Sequence, residues 1–326
     1  METDEIRRMT EKCFPGSTLI RSRELTEGLF NAAYEVFGDG PLAAGAVLKT
    51  GPAPGTKILT YEKEIMKAEV EVYRLLEQTD VPVPKVLASD FSRETTDGDY
   101  FFMSRLEGEL WKNADKKKRA AFRPQLMKEL GACNAAIHSI RGSWFGYLKE
   151  DAHYRYDTWY EAFYGMMDDI LEDGRRDGHE LPGEEIRAVV RRCRKALEKV
   201  KEPRLVDYDI WAGNIFVKPS GDGLTISGII DFERSFYGDP YADFTSAMEL
   251  FQDVEKEPEF EEGYRTVSGG AILVGEEERI RMDLYRLYMA VIMCVETYRY
   301  DKLHAGLIKI YCKMKIKEQL KKLARV

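Results

Sequence analysis

The spacing of apolar residues changes once along the chain, and the change divides it. In the first third, short apolar runs alternate with polar residues as half-buried strands do. Residues 33–37 and 46–49 read as two strands joined through the turn-forming Gly38-Asp39-Gly40. After Thr60 the period lengthens, and Ile65, Ala68, Val72, Leu75 and Leu76 fall on one face of a helix. Val81-Pro82-Val83-Pro84 ends that helix, because each proline pushes its predecessor out of the α region. Residues 85–87 and 100–103 then read as extended. Beyond them the pattern predicts helices over 126–139, 158–172, 184–200 and 278–300, with a basic helical stretch from Lys309. One β interruption stands among them: strands 215–218 and 225–230 flank a hairpin loop at 219–223. The order is a β-rich first third, then a helical body with an embedded hairpin.

Composition narrows the class. The 326 residues suit two lobes better than one small core. The formal net charge of −8 disfavours general nucleic-acid binding, which needs cationic surface to displace counterions. Five scattered cysteines with no C-x-x-C spacing suggest free thiols in a reducing compartment, and the four histidines lack metal-ligand spacing. The longest apolar stretch, near 287–295, is too short for a membrane span, and Met1-Glu2-Thr3-Asp4-Glu5 carries charge where a signal peptide would be apolar. The expectation is a cytoplasmic protein that binds neither nucleic acid nor membrane.

The segment Asp207-Tyr208-Asp209-Ile210-Trp211-Ala212-Gly213-Asn214, followed by the hairpin and Ile229-Ile230-Asp231, carries the chemistry. An Asp-x-x-x-x-Asn spacing, a hairpin, and an Asp ending an apolar strand is the arrangement phosphoryl transfer requires. One carboxylate must orient and deprotonate an acceptor hydroxyl; a second carboxylate and an amide must hold Mg²⁺ against a triphosphate. Asp209 is the candidate base, and Asn214 and Asp231 are the candidate metal ligands. Each alone reads better as a turn or strand-end residue; the ordered set is what points to catalysis.

These segments resemble the aminoglycoside phosphotransferase family, a branch of the protein-kinase-like fold whose pattern is His-Gly-Asp-x-x-x-x-Asn and then Ile-Asp-(Phe/Trp)-(Glu/Gly). The likeness extends to Leu25-Thr26-Glu27-Gly28-Leu29-Phe30-Asn31, similar to the family's nucleotide loop, and to Val47-Leu48-Lys49, similar to its lysine strand. Leu106-Glu107-Gly108, Ile137-His138-Ser139 and Gly238-Asp239-Pro240 with Asp243 also resemble family segments. The resemblance implies an α+β, bilobal fold: a nucleotide-binding lobe over 1–102, a hinge over 103–108, and a mostly helical lobe over 109–326 that carries the catalytic hairpin and the acceptor site. It implies ATP or GTP as donor, Mg²⁺, and a hydroxyl of an aminoglycoside-like or other small molecule as acceptor. Lys49 would reach the phosphates, paired with Glu69, whose place on the Ile65, Val72, Leu76 face lets it point inward. Gly28 and Asn31 would serve the nucleotide loop, while Met103 and Arg105 would flank the purine. The acceptor-binding residues are left unassigned, and relatives acting on choline, methylthioribose or homoserine look similar. A nucleotide-binding module without turnover is the competing class.

Two departures stand out: Asp207 and Tyr208 occupy the positions of the family's histidine and glycine. Two other segments mimic phosphate motifs and are set aside. Gly51-Pro52-Ala53-Pro54-Gly55-Thr56-Lys57 has the wrong glycine-to-lysine spacing, and Gly38-Asp39-Gly40 precedes strand-like sequence rather than a helix. Acidic residues crowd 157–173 and 253–262. They would attract a polycationic acceptor if they line a cleft, and otherwise are solvated faces.

Overall fold

The computed structural model describes residues 3–25, 31–52, 55–246, 250 and 253–325. Helix α1 (Thr3–Cys13) leads into strands β1 (Leu19–Leu25), β2 (Ala32–Gly38) and β3 (Ala46–Thr50). Helix α2 (Ile65–Leu76) follows, then β4 (Val86–Asp90) and β5 (Tyr100–Ser104). The five strands form one antiparallel sheet, ordered β1-β2-β3-β5-β4. Successive strand residues face opposite sides, and this sorts the side chains. Leu48, Tyr100 and Phe102 cluster with Ile6, Met9 and Phe14, so α1 and the turn after it cover one face. Phe101 and Met103 join α2 residues Val72 and Tyr73 on the other. Lys49, cross-strand from Phe101, therefore lies on the α2 side.

The chain leaves this N-lobe through Gly108. Its φ of 98° is left-handed, and a Cβ there would lie 2.1 Å from the Val217 carbonyl oxygen, so only glycine fits the passage. The C-lobe then runs β6 (Glu109–Leu110), α3 (Lys116–Ser139), β7 (Gly146–Tyr147), α4 (Trp159–Arg176), α5 (Gly183–Arg192) and α6 (Arg194–Leu197). It continues through β8 (Arg204–Val206), β9 (Ile215–Ser220), β10 (Gly223–Ile229), β11 (Phe236–Gly238) and α7 (Asp243–Ser246). Helices α8 (Pro258–Ser268), α9 (Glu276–Val295) and α10 (Lys302–Leu323) complete it. Two small antiparallel sheets, β10-β9-β6 and β7-β11-β8, hold the loops between them in register. Helices α3 and α8 touch backbone to backbone: a Cβ on Gly131 would meet the Phe260 oxygen at 2.0 Å, and one on Gly263 the Lys128 oxygen at 1.8 Å. Trp159 and Phe163 of α4 pack on Tyr285 and Tyr288 of α9, so the aromatic run at the start of α4 is largely core. Among the described residues no helix is long and apolar enough to cross a membrane.

Several elements differ from the sequence expectation. The hairpin after Asn214 is tighter than expected, because β9 and β10 pair up to Ser220 and Gly223. The helix expected over 184–200 breaks at Cys193, whose ψ of 9° leaves the helical region. Helix α3 starts ten residues before 126, since Asp115 caps it by accepting from the Lys117 and Lys118 amides (3.1 and 3.0 Å). Its first turns are solvent-facing lysines with no apolar stripe to announce them.

Candidate active site

Strand β8 delivers the chain to Asp207, Tyr208 and Asp209. Tyr208 takes a left-handed conformation, φ 61°, at the position where the resembling family has glycine. Such a backbone costs a side-chain-bearing residue about 1–2 kcal/mol. Asp243, at the start of α7, holds it: Oδ1 accepts from the Tyr208 amide at 2.6 Å and Oδ2 from the Asp207 amide at 3.2 Å. The same carboxylate accepts from Asn134 Nδ2 (3.0 Å) and meets His138 Nε2 (2.8 Å). The Tyr208 hydroxyl donates to the Tyr285 carbonyl at 2.7 Å. Loop conformation is thus set by a buried acid that the sequence places more than thirty residues downstream of the loop.

Asp207 points into the protein, fully buried, and neither of its carboxylate oxygens has a hydrogen-bond partner among the described residues. Burial, and then the Asp243 and Asp209 charges, push its carboxyl well above the usual aspartate range. Asp209 faces the cleft. Its Oδ2 accepts from Asn214 Nδ2 at 2.9 Å, and its Oδ1 from Arg234 Nη1 at 3.1 Å. Burial pushes Asp209 up to about 6; the Arg234 guanidinium pulls the other way, while Asp231 adds to the rise. Arg234 also donates to both carboxylate oxygens of Glu296, at 3.0 and 2.8 Å. Neither Arg234 nor Glu296 was assigned a role from the sequence.

Toward the N-lobe sheet, Lys49 Nζ lies 2.7 Å from Glu69 Oε2 and 2.7 Å from Asp231 Oδ1. Burial alone would lower this lysine, but the Asp231 and Glu69 carboxylates outweigh it and hold the ammonium well above its usual range. The Tyr73 hydroxyl donates to Glu69 (3.2 Å) and accepts from the Asp231 amide (3.1 Å), tying α2 to the strand end that carries Asp231. Asp231 is itself left-handed, φ 72°. The Ile230 amide donates to the Asn214 carbonyl at 2.9 Å, so the hairpin brings the two expected metal ligands side by side.

Asn31 donates to Glu233 Oε2 at 2.8 Å, and its own Oδ1 is buried without a partner among the described residues. Glu233, which the sequence reading passed over, is pushed up to about 8 by burial and then by Asp231. Carboxylate oxygens of Glu69, Asp231 and Glu233 lie within 4.8 Å of one another. This donor set is all oxygen, as Mg²⁺ prefers, and Asn214, its side-chain Nδ2 committed to Asp209, offers its side-chain Oδ1 as a ligand atom. The residues present therefore fit the ion.

These groups line one interlobe cleft of about 990 Å³, together with Val47, Met103, Leu106, Phe216 and Ile230. Arg105 is not among its walls; its guanidinium pairs with Glu35 at 2.8 Å and lies 5.3 Å from the centre of the Phe37 ring. Gly28 lies outside the described residues. The acidic stretches stay out of the cleft as well. Asp168 and Glu172 pair with Arg187, Glu255 with Arg279, Glu257 with Arg123 and Glu262 with Lys128. Asp173 instead accepts from Thr60.

No curated protein matches the sequence. Solved structures match its fold over nearly the whole chain. One, from Thermobifida fusca and provisionally named a fructosamine-3-kinase, aligns at TM-score 0.69 with 16% identity, covering 100% of both chains. A provisionally named aminoglycoside phosphotransferase from Ralstonia eutropha aligns at 0.62 with 14% identity over 98% of both. A variant of aminoglycoside phosphotransferase APH(4)-Ia, solved with AMP-PNP and hygromycin B, aligns at 0.64 with 14% identity over 97% of this chain and 98% of its own. Identities this low speak for the fold: an antiparallel N-lobe sheet joined to a helical lobe, as in small-molecule kinases. The sequence itself carries the closer affiliation, because the model of the phosphotransferase enzyme family matches residues 23–281, from β1 to the second turn of α9, and the chain belongs to that family.

Proposed function

We propose that the chain is a small-molecule kinase that moves the γ-phosphoryl group of ATP or GTP onto a hydroxyl of its acceptor. The observation that carries this reading is Asp209, facing the cleft with a carboxyl poised near 6 and oriented from two sides by Asn214 and Arg234. A base with a pKa close to working pH accepts a proton without being protonated in the resting state. Nucleotide would lie across the 1–102 lobe and the 103–108 hinge, with Met103 against the base and Lys49, held by Glu69, at the phosphates. The acceptor would enter from the 109–326 lobe. Asn214 and Asp231, with Glu233 beside them, would hold Mg²⁺, which would neutralise the triphosphate's charge. Asp209 would orient the hydroxyl in line with the γ-phosphorus and take its proton, while Arg234 fixes the carboxylate's direction. Positioning and charge neutralisation supply most of the rate in such transfers.

The test is a mass-spectrometric phosphotransfer screen with ATP and GTP against hydroxyl-bearing small molecules, with Asp209→Asn in parallel. A product made by wild type and slowed by about 10²–10⁴-fold in the variant supports the assignment. Equal turnover in the variant removes Asp209 from the chemistry. No nucleotide turnover distinguishing the two proteins would favour a binding module instead.

A further inference from the structure

Between β3 and α2 the chain leaves its own sheet and is fastened to the C-lobe. Thr60 is gripped at three atoms. Its amide donates to Asp173 Oδ2 at 2.5 Å, its hydroxyl donates to Asp173 Oδ1 at 2.9 Å, and its carbonyl oxygen accepts from Lys149 Nζ at 2.7 Å. Both partners are buried, Asp173 on α4 and Lys149 just after β7. The next two side chains go the same way: the Tyr61 hydroxyl donates to Glu296, and Glu62 pairs with Arg299, both in the turn after α9. Ahead of them, Lys57 Nζ lies 2.8 Å from Asp177 Oδ2 at the end of α4. None of these bonds ends on the sheet.

This segment leads directly into α2. Glu64 turns left-handed, φ 62°, and the helix begins at Ile65 with Glu69 in its second turn. The polar bonds of α2 divide along its length. In the first turn Lys67 Nζ lies 3.3 Å from Glu150 of the C-lobe, and further on the Tyr73 hydroxyl accepts from the Asp231 amide at 3.1 Å. At the far end Arg74 donates to Ser89 of β4 at 3.4 Å, and the Glu77 carboxylate accepts from the Val86 amide at 3.2 Å. The apolar face packs with Phe101 and Met103 of the sheet, a contact that is not directional. So the end of α2 that carries Glu69 is bonded to the C-lobe, and the opposite end to the sheet. Glu296 is shared as well: it takes the Tyr61 hydroxyl and also Arg234, which bonds Asp209.

We propose, building on the kinase reading, that Thr60 and Tyr61 are positioning residues: held by the C-lobe, they fix the first turns of α2 and so set the Glu69 carboxylate that keeps Lys49 aimed at the nucleotide phosphates. Neither residue lines the cleft. The Lys49–Glu69 pair therefore belongs to neither lobe alone. It forms where a strand of the sheet meets a helix that the C-lobe has placed, and loosening the segment loosens the lysine.

The experiment combines calorimetry of Mg²⁺·AMP-PNP with hydrogen exchange along α2. Thr60→Val together with Tyr61→Phe removes two hydroxyls and keeps both shapes. The pair is expected to weaken nucleotide binding by about fivefold, the scale of one net hydrogen bond. It should also speed exchange over residues 65–70 while leaving 74–77 unchanged. Thr60→Ser, which retains the hydroxyl, is expected to keep the wild-type affinity. In a Glu69→Gln background the double change should bring no further loss, because its effect is exerted through Glu69. Should the double variant not fold, Asp173→Asn disables the Thr60 amide bond from the α4 side and carries the same expectations. Unchanged affinity, an equal loss on top of Glu69→Gln, or exchange that rises evenly along α2 overturns the proposal. The kinase reading fails separately: wild type that does not bind Mg²⁺·AMP-PNP defeats that reading, and the exchange pattern alone then decides whether the C-lobe places α2.

Discussion

Arg234 is the residue whose removal tells most about this site. Its side chain is only 14% exposed, and it spans Asp209 and Glu296, which is 6% exposed. Replacing it with methionine keeps much of the apolar stem but strands two carboxylates in a poorly solvated pocket. Removing one member of a buried ion pair costs about 3–5 kcal/mol, most of it the penalty on the charge left behind. Glu296 retains the Tyr61 hydroxyl and the neighbouring Arg299, so the low end, about 3 kcal/mol, is expected for Arg234→Met. Urea unfolding at neutral pH measures it. Glu296→Gln in the same background should recover a sizeable part, and a double-mutant cycle should give a coupling of about 1–3 kcal/mol. The variant also shifts the chemistry. Arg234 lowers the Asp209 pKa, so without it Asp209 rises above its present value of about 6. The base is active only when ionised, so the acidic limb of the kcat/KM profile moves to higher pH. A stability loss below about 1 kcal/mol, or an acidic limb that does not move, would refute the reasoning.

Three further outcomes follow from the same geometry. Asp209→Asn should stabilise the protein while slowing it: the folded pKa of about 6 exceeds the ordinary aspartate value, so this group's contribution is full at low pH and lost as pH rises through 6. With a fifth of the side chain still exposed, the gain above pH 6 is put at about 2 kcal/mol, readable as a rise in Tm; a variant less stable than wild type at neutral pH contradicts it. Asp243→Ala leaves the Tyr208 and Asp207 amides, Asn134 and His138 without their shared acceptor, and at about 1–3 kcal/mol per stranded donor a loss of at least 3 kcal/mol is expected in urea. Tyr208→Gly relieves a left-handed strain of about 1–2 kcal/mol but deletes a fully buried ring worth about 3–5 kcal/mol, so it should destabilise by about 2–3 kcal/mol, and a stabilised variant would show that the strain dominates.

What the sequence revealed, and what it hid, follows from how far each partner lies along the chain. Asp209 and Asn214 share one loop, and their hydrogen bonds span five residues. Lys49 and Glu69 were readable because a strand's alternation and a helix's turn each fix a direction before any tertiary contact exists, and the side chains meet at 2.7 Å. Arg234 and Glu296 had no such signal, being 62 residues apart on different elements. Glu233 stood two positions from Asp231 in plain view, yet only the fold shows that Asn31 and Lys49 converge on it. The first helix escaped notice because its stripe is short, Ile6 and Met9, and makes sense only once the sheet face it covers is known.

The two departures in the catalytic loop show why a motif should be tested residue by residue. A glycine in the family pattern suggests a need for backbone freedom, and the left-handed Tyr208 shows that this chain keeps the conformation while changing the means. It holds the turn through ring burial, a hydroxyl donated to the Tyr285 carbonyl, and an amide clamped by Asp243. Asp207 changes more. A carboxyl this deeply buried is favoured in its neutral form, so it adds little negative field to Asp209 despite its nearness in sequence. Burial does most to raise Asp209's proton affinity, and of the charges acting on it Arg234 lowers it while Asp231 and Glu296 raise it. The chain therefore holds the Asp209 carboxylate in place without the family's histidine, because Asn214 and Arg234 bond it from the cleft-facing side of the loop.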